Sequence, residues 1–261
     1  MAAARDMNEQ NLIHGAADLI LAIDHPQFFD KLIYLLRLAG SYDDYVILAY
    51  HPTARPLVLG SSLASDELAA WDRYLQGAYL LSPFYDYAMQ GGSGVVSLAE
   101  IAPDDFYQSA YYDEYFRYSG LTDEVCLVIQ TDHQLCYLLS LGRTRTLSSF
   151  NRRVLSRLKA FYPLICAAVQ MHDKQHGLAD PGSHEPIKQA ILDFGADRLT
   201  PREKEVLQLL IRGYSSKEAA NKLSMAYETE RVHRKNIYSK LEVNSQKELL
   251  GKLFGQVLHP G

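Results

Sequence analysis

The sequence has no apolar run of about 18 residues, the length that a membrane-spanning helix needs. Its N-terminus, MAAARDMNEQ, is too polar for a secretory signal. Cysteine is scarce: only Cys126, Cys136 and Cys166 occur, and their spacing gives neither a C-x-x-C pair nor a disulfide framework. We therefore expect a cytoplasmic protein without membrane contact and without structural disulfides.

The motifs of common catalytic and cofactor sites are also missing. Gly91–Gly94 lacks the lysine of a phosphate-binding loop, so it predicts a turn. His172 and His176 have a spacing that zinc can use, but only His184 in a polar segment could add a ligand, and a solvated helix end is the favoured interpretation. No nucleophile elbow, catalytic carboxylate pair or Cys–His signature occurs. We predict no enzymatic activity, no cofactor and no metal.

Charge is unevenly distributed along the 261 residues. Residues 1–194 contain 14 Lys and Arg against 23 Asp and Glu, whereas residues 195–261 contain 12 against 8. The overall charge of −5 therefore conceals a basic C-terminal segment on an acidic body. This asymmetry is typical of a protein that binds the phosphate backbone of a nucleic acid with one end of its chain.

A polar stretch divides the chain, and Gly177, Pro181, Gly182 and Pro186 within it interrupt any long helix. We predict a sensor or dimerisation domain in residues 1–173, a linker with a short helix around Ile187–Phe194 in residues 174–196, and a second domain in residues 197–261. Two domains fit the length of the chain.

The first domain alternates between helical and strand-like apolar periodicity, which predicts an α+β sensor domain similar to the GAF or PAS classes. The predicted helices are Asn11–Ile23, Pro26–Leu38, Asp66–Met89, Asp104–Tyr118 and Leu147–Met171, and Pro83 is the place where the third could be broken. The predicted strands are Tyr45–Tyr50, Pro56–Leu59, Gly94–Leu98, Glu124–Gln130 and Leu135–Leu141. The last helix carries its apolar residues on one face, namely at Val154, Leu158, Phe161, Ile165 and Ala168.

Three helix starts in the second domain have a hydroxyl residue followed three positions later by glutamate, which is a capping box. The pairs are Thr200 with Glu203, Ser215 with Glu218, and Ser245 with Glu248. They predict an all-α domain of four helices, Pro201–Arg212, Ser216–Leu223, Tyr227–Leu241 and Gln246–Phe254. Only three residues separate the second helix from the third, so the two must cross steeply, as in a helix-turn-helix.

One stripe of the third helix is polar and basic, while Ile237, Leu241 and His233 point inward. The stripe consists of Glu228, Arg231, Val232, Lys235 and Ser239. Arginine and lysine match guanine edges and an apolar side chain matches the thymine methyl group, so the stripe suits the major groove.

The run LTPREKEVLQLLIRGYSSKEAANKL, followed by TERVHRKNIYSKLEV, closely resembles the LuxR-type (GerE-like) DNA-binding domain over about Leu199–Leu250. The resemblance implies Arg231, Val232 and Lys235 near bases, and Lys217, Thr229 and Lys240 near phosphates. It also implies dimer contacts by the last helix. The full predicted DNA-binding set is Lys217, Thr229, Arg231, Val232, Arg234, Lys235 and Lys240.

Three positions depart from that family's pattern. Ala226 stands where a capping serine is usual, and the loss of a cap costs about 0.5–2 kcal/mol. Ala219 replaces a bulkier aliphatic residue. Glu230 replaces a buried valine, and we expect its carboxylate to oppose phosphate on the recognition helix.

Half of the 18 tyrosines lie between Tyr74 and Tyr118, next to the only tryptophan. These rings either fill the core or line a pocket for a small molecule. The candidate pocket residues are Trp71, Tyr74, Tyr79, Tyr85, Phe106, Tyr111 and Tyr115. The region about Gly77–Ile129 resembles LuxR-type regulators with a GAF-like domain. Ser82 stands before Pro83 where acyl-homoserine lactone sensors have aspartate, so we predict a different effector.

These observations predict a homodimeric transcription regulator that binds two-fold-symmetric double-stranded DNA and senses a small effector. Its dimer contacts are expected in the Leu147–Met171 helix and in Gln246–Val257. The alternative is a ligand-independent regulator whose first domain only dimerises or docks on a protein partner.

Overall fold

The structure is a computed structural model that describes residues 2–63, 68–132, 135–144, 147–175 and 185–255. The helices are α1 (Ala2–Leu21), α2 (Phe28–Ala39), α3 (Leu68–Gln76), α4 (Pro83–Met89), α5 (Leu98–Ile101), α6 (Ala110–Glu114), α7 (Arg152–Gln175), α8 (Glu185–Asp193), α9 (Pro201–Ile211), α10 (Ser216–Lys222), α11 (Tyr227–Lys240) and α12 (Gln246–Leu253). The strands are β1 (Asp44–His51), β2 (Ala54–Ser61), β3 (Gly94–Ser97), β4 (Asp123–Gln130) and β5 (Cys136–Arg143). Short 3-10 turns occupy Ala78–Leu81, Phe106–Gln108 and Phe116–Tyr118. The predicted α+β domain followed by helices is thus confirmed.

The chain forms two compact units that are discontinuous in sequence. The first unit consists of Met1–Ala64, Tyr87–Glu100 and Leu121–Gly182. The second consists of Ser65–Asp86, Ile101–Gly120 and Ser183–Gly261. The aromatic helices therefore group with the C-terminal helices. This division differs from the predicted boundaries 1–173, 174–196 and 197–261, which stay a prediction.

The first unit is built on a five-stranded antiparallel sheet with the order β2-β1-β5-β4-β3. Cys126 lies opposite Ser140 and Cys136 lies opposite Gln130. The two thiols are thus on neighbouring strands but not directly opposite each other. Both are buried, and none of the described cysteines is in a disulfide.

One face of the sheet packs against α1, α2 and α7. Leu127 and Leu139 of the two central strands are fully buried in this core, together with Leu158 and Ile165 of α7. Because successive strand residues point to opposite faces, alternate positions of β4 and β5 build this layer. The predicted apolar stripe of α7 is confirmed and is used inside the first unit.

Four predicted helices differ from the structure. The helix expected over Asn11–Ile23 begins at Ala2 and ends at Leu21. The helix expected at Leu147 begins at Arg152, because the Asn151 Oδ1 atom accepts the Val154 N–H (3.1 Å) and caps it there. The helical region expected over Asp66–Met89 is broken at Gly77, whose φ is 152°, and a new helix begins at Pro83, where the sequence suggested a break. The region Asp104–Tyr118 is not one helix but a series of short turns around α6.

His172 is not at a solvated helix end, contrary to the sequence interpretation. It is buried, and its ring stacks on Phe28 with the centroids 4.0 Å apart. Its Nδ1 atom accepts the Asp24 N–H at 3.2 Å. His176 and His184 lie outside the described residues. Within the described part of the chain, no group of three His, Cys, Asp or Glu could hold a metal ion, and no helix there could cross a membrane.

Part of the predicted linker is a helix, as expected around Ile187–Phe194. In α8, Ile191 is buried and its carbonyl accepts a hydrogen bond from Gln208 Nε2 of α9 (2.9 Å). Phe194, directly after α8, is buried as well. These contacts join α8 to the C-terminal helices.

The other face of the sheet carries a buried carboxylate. Glu124 of β4 is 6% exposed, and its Oε1 atom accepts the Ser140 hydroxyl at 2.6 Å. Burial raises the pKa of Glu124 to about 7, although the hydrogen bonds from Ser140 and Cys126 lower it. An acid whose pKa is higher in the folded state contributes stability below its unfolded pKa and loses it as the pH rises through the folded value.

We expect the wild-type protein to lose about 3 kcal/mol of stability between about pH 4.5 and pH 7, relative to a Glu124→Gln variant. Glutamine keeps an oxygen for Ser140 but has no charge. The measurement is the free energy of unfolding in urea at several pH values for both proteins. Parallel pH curves for the two proteins would show that Glu124 does not titrate in this range.

Candidate nucleic-acid interface and aromatic cluster

Hydrogen-bonded caps fix where the C-terminal helices begin. The Thr200–Glu203 and Ser215–Glu218 capping boxes are complete, with both the hydroxyl and the carboxylate bonds present. The third is only half formed: the Ser245 hydroxyl accepts the Glu248 N–H, but the Glu248 carboxylate accepts the N–H of Asn244 instead (2.8 Å). All four predicted helices are confirmed within one or two residues at their ends.

A tight turn sets the crossing of α10 and α11. Ser224 has a positive φ of 50°, and the Met225 N–H returns to the Ala220 carbonyl (2.9 Å). Ala219 and Ala220 are the buried residues of α10, so its inner face consists of methyl groups. The small residue at position 219 therefore permits a close approach of the two helices.

Side chains of the predicted DNA-contacting stripe on α11 lie in solvent. The Arg231 side chain is 60% exposed and Val232 is 57% exposed. Lys235 and Thr229 on the same helix are exposed as well, as is Lys217 on α10. Arg231 lies 3.8 Å from the exposed Glu228, and its guanidinium is 5.8 Å from the centroid of the Tyr227 ring. Such surface contacts hold a side chain weakly. These five side chains can reach a ligand without rearrangement of the domain.

Glu230 does not oppose phosphate as the sequence suggested, because it is fully buried. Its Oε1 atom accepts a hydrogen bond from Arg234 Nε at 2.8 Å, one helical turn away. Arg234 also donates to the Tyr214 carbonyl (3.0 Å), and its side chain is only 14% exposed. The ion pair thus takes the place of a buried apolar residue and joins α11 to the segment before α10.

Lys240 is likewise engaged within the domain. Its ammonium group lies 2.7 and 2.9 Å from the two carboxylate oxygens of the buried Glu203 in α9. Burial raises the pKa of Glu203, but the bonds from Lys240 and Thr200 outweigh it, so that the pKa is lowered. The predicted basic set is therefore divided between exposed and internally paired cations.

The start of α11 has no side-chain cap. Ala226 occupies the N-cap position without a side-chain hydrogen bond, as the sequence implied. Its carbonyl accepts the Glu230 N–H (3.1 Å), which closes the first helical turn. The buried pair of Glu230 and Arg234 thus lies just beyond an uncapped end, where it stabilises the helix.

All seven candidate pocket residues are buried and belong to one network of ring contacts. Trp71 stacks on Tyr74 (centroids 4.9 Å apart, planes 8° apart). Tyr74 in turn contacts the rings of Tyr79, Tyr111 and Tyr115. Further contacts connect the remaining members, Tyr79 to Tyr85 (5.4 Å) and Phe106 to Tyr111 (6.3 Å). The second compact unit therefore contains a continuous aromatic cluster made of these seven residues.

Ser82 has a structural role at the edge of this cluster. It is 1% exposed, and its hydroxyl accepts the Phe84 N–H at 3.3 Å at the start of α4. The serine thus holds a helix start at the position where lactone sensors have aspartate. It provides no carboxylate for an acyl-homoserine lactone.

Comparisons with known proteins agree with this geometry. Residues 197–252 match the GerE family, described as bacterial regulatory proteins of the luxR family. An HTH-type transcriptional regulator from the exeN 3′ region of Aeromonas salmonicida is 29% identical over 67% of this chain and 94% of its own length. The response regulatory protein YgeK of Escherichia coli K12 is 46% identical, but over only 21% of this chain and 37% of its own length.

A solved structure also resembles this chain. The LBD domain of VqsR from Pseudomonas aeruginosa matches with a TM-score of 0.54 and 26% identity. The match covers 63% of this chain and 96% of that domain.

The buried ion pair gives a prediction for stability. We expect Arg234→Ala to destabilise the protein by about 3 kcal/mol, because it leaves the Glu230 carboxylate buried and unpaired. The double variant Glu230→Val/Arg234→Met should recover most of that loss, since apolar residues of similar volume replace the pair. Thermal unfolding followed by circular dichroism measures both effects.

Arg231→Ala is the matched control for this prediction, because it removes an exposed arginine from the same helix and should change stability by less than about 0.5 kcal/mol. An equal loss in the Arg231 and Arg234 variants would contradict a structural role of the ion pair.

Proposed function

Since the chain carries a LuxR-family helix-turn-helix domain at residues 197–252 and is a transcriptional regulator rather than an enzyme, we propose that it acts as a homodimer on two-fold-symmetric DNA. We further propose that its aromatic cluster binds a small effector other than an acyl-homoserine lactone. DNA binding is supported by the exposed stripe of α11. Its cations, Arg231 and Lys235, lie in solvent and are not paired with a buried carboxylate.

The exposed side chains divide by chemistry into two groups. Arg231 and Lys235 can donate to the O6 and N7 atoms of guanine, and Val232 can contact a thymine methyl group. Lys217 and Thr229 are placed to contact phosphates, which position the domain but carry no sequence information. Arg234 and Lys240 contribute to DNA binding indirectly. Their internal ion pairs hold α11 in place, so that its exposed side chains can contact the DNA.

The effector site is proposed within the aromatic cluster. Tyrosine rings supply apolar area together with a hydroxyl group that can orient a ligand. The likeness to the LBD domain of VqsR supports ligand binding by this part of the chain. The ligand-independent alternative is favoured if the rings only fill the interior, since all seven are buried.

Dimer contacts are proposed on the outer helices of the first unit. The buried stripe of α7 is used in the core, but Met171 near its end is 53% exposed. Nearby exposed apolar residues on α1 are Ile13 (68%), Ile20 (52%) and Leu21 (83%). Exposed apolar side chains on adjacent helices are typical of a protein–protein contact. Effector binding would then favour one arrangement of the two DNA-binding domains, by no more than its differential affinity for the two arrangements.

The DNA contacts can be tested on a library of random duplexes from which the wild-type protein selects its preferred site. We expect Arg231→Ala and Lys235→Ala each to weaken binding to that site by about tenfold or more and to relax the preference at one base position. Lys204→Ala of α9 removes the same charge outside the stripe and should keep the preference. Unchanged selection in both stripe variants would refute the recognition role of α11.

The effector can be tested by native mass spectrometry of the protein purified from its own cells. A small molecule bound at one per subunit is expected, and Tyr74→Leu should abolish its retention because Tyr74 contacts four other rings of the cluster. Tyr107→Leu, a change at a 71% exposed ring, is the matched control. A bare dimer would favour the ligand-independent alternative.

A further inference from the structure

The buried carboxylate of Glu124 has one oxygen that the chain does not use. Glu124 lies on the sheet face opposite α1, α2 and α7, and its Oε1 atom accepts the Ser140 hydroxyl (2.6 Å) and the Cys126 thiol (3.8 Å). Its Oε2 atom is buried as well, and no residue that the structure describes donates to it. Because a buried acceptor without a donor is costly, native proteins contain few of them. Oε2 is thus a free acceptor in the interior.

Glu124 also lacks a cation of the chain, since none of the described residues forms an ion pair with it. Arg143 is the only basic residue of β4 and β5, but it points to the opposite face and donates to the Ser41 carbonyl (2.9 Å). The buried Glu203 and Glu230, by contrast, are each paired with a cation. A buried charge needs such a partner, so a cation from outside the chain would supply what Glu124 lacks.

A second carboxylate lies in the same row of the sheet. Asp44 of β1 and Glu124 of β4 are both opposite Gly142 of β5, and opposite residues of antiparallel strands point to the same face. A Cβ atom at Gly142 would lie 2.5 Å from Leu121 Cδ2 and 3.7 Å from Asp44 Cβ, so glycine is what leaves room for Leu121 there. The row is therefore acidic at both ends and apolar between them, which favours a cation over an anion.

Part of this buried face stays accessible. Cys126 and Leu138 are 0% and 2% exposed, whereas Ser140 and Val96 on the same face are only half-buried. Val96 lies opposite Cys126 on one side and Ser140 lies opposite it on the other. The lining beside Glu124 is thus mainly apolar. Within the described residues no group of three His, Cys, Asp or Glu could hold a metal ion, so an organic cation with an apolar body suits this lining.

We propose that this face of the sheet binds a protonated amine with an apolar body, and that Glu124 Oε2 accepts its ammonium group. Ser140 orients the carboxylate through Oε1. Burial raises the pKa of Glu124 to about 7, and an ammonium beside Oε2 would favour the ionised form. The site is built from the first unit alone and does not rest on the effector and DNA-binding roles proposed above.

The experiment titrates butylammonium chloride into the full chain, labelled at its valine and leucine methyl groups and followed by NMR. The methyl signals of Val96 and Leu138 should shift with saturation. Those of Val95 and Leu139 should stay in place, because both side chains point to the opposite face. Butanol has the same apolar body without the charge and should bind at least about tenfold more weakly, since the buried carboxylate then stays without a cation.

Glu124→Gln tests the carboxylate directly, because glutamine keeps an oxygen for Ser140 but has no charge. This variant should bind butylammonium no better than butanol, a loss of about tenfold or more. Asp30→Asn removes an exposed carboxylate from α2 of the same unit and should bind like wild type. The contrast between butylammonium and butanol uses wild type alone, so it tests the proposal even if Glu124→Gln does not fold.

The measurements also separate this site from the aromatic cluster. Tyr74→Leu should leave butylammonium binding unchanged. The proposal would be overturned by equal affinities for butylammonium and butanol, by the absence of a saturable shift at Val96 and Leu138, or by full affinity in Glu124→Gln. Binding that is lost in Tyr74→Leu but kept in Glu124→Gln would place the amine in the aromatic cluster instead.

Discussion

The C-terminal domain depends on how two buried carboxylates are neutralised. Glu203 and Glu230 are 3% and 0% exposed, and each is paired with a cation, Lys240 and Arg234 respectively. A buried charge without a partner would cost several kcal/mol, so these two cations are committed to the fold. Lys240 joins α11 to Glu203 of α9, and Arg234 joins it to the Tyr214 carbonyl, so the two cations also fix the position of that helix. The basic side chains that remain exposed on α11 are the ones that can meet DNA.

The local signals of the sequence were sufficient for the C-terminal helices. A hydroxyl residue and a glutamate at the correct spacing define a helix start within one turn, so Thr200 and Ser215 could be identified without any tertiary information. The pairing of Glu230 with Arg234 was also within reach, since i,i+4 spacing places the two side chains on one face. The resemblance already placed a buried residue at position 230, but it did not show that Arg234 and the Tyr214 carbonyl would keep the carboxylate inside. The expected clash with phosphate was wrong for that reason.

Predictions failed where tertiary contacts override periodicity. The segment Asp104–Tyr118 has helical apolar spacing, but its aromatic residues pack in several directions, and the backbone follows them in short turns around α6. The bond between Lys240 and Glu203 joins residues 37 positions apart, so no local pattern reports it. The exposed stripe of α11 was predictable because helical period alone places its residues on one side. The actual DNA contacts of that stripe stay a prediction.

The grouping of the aromatic cluster with the C-terminal helices bears on how a signal could reach DNA. In a chain of two separate domains, an effector in the first would act on the second only through the linker or through the dimer. Here α3, α6 and the first residues of α4 share a compact unit with α9–α12. Asp86 directly follows Tyr85 of the cluster and forms an ion pair with Arg212 of the same unit (3.0 Å). A change of a few ångströms in the rings would therefore act directly on the contact with Arg212. A contact made of packed side chains and an ion pair has two states, because it is either formed or broken. The effector binding proposed above would therefore need no long path through the protein to reach the DNA-binding domain.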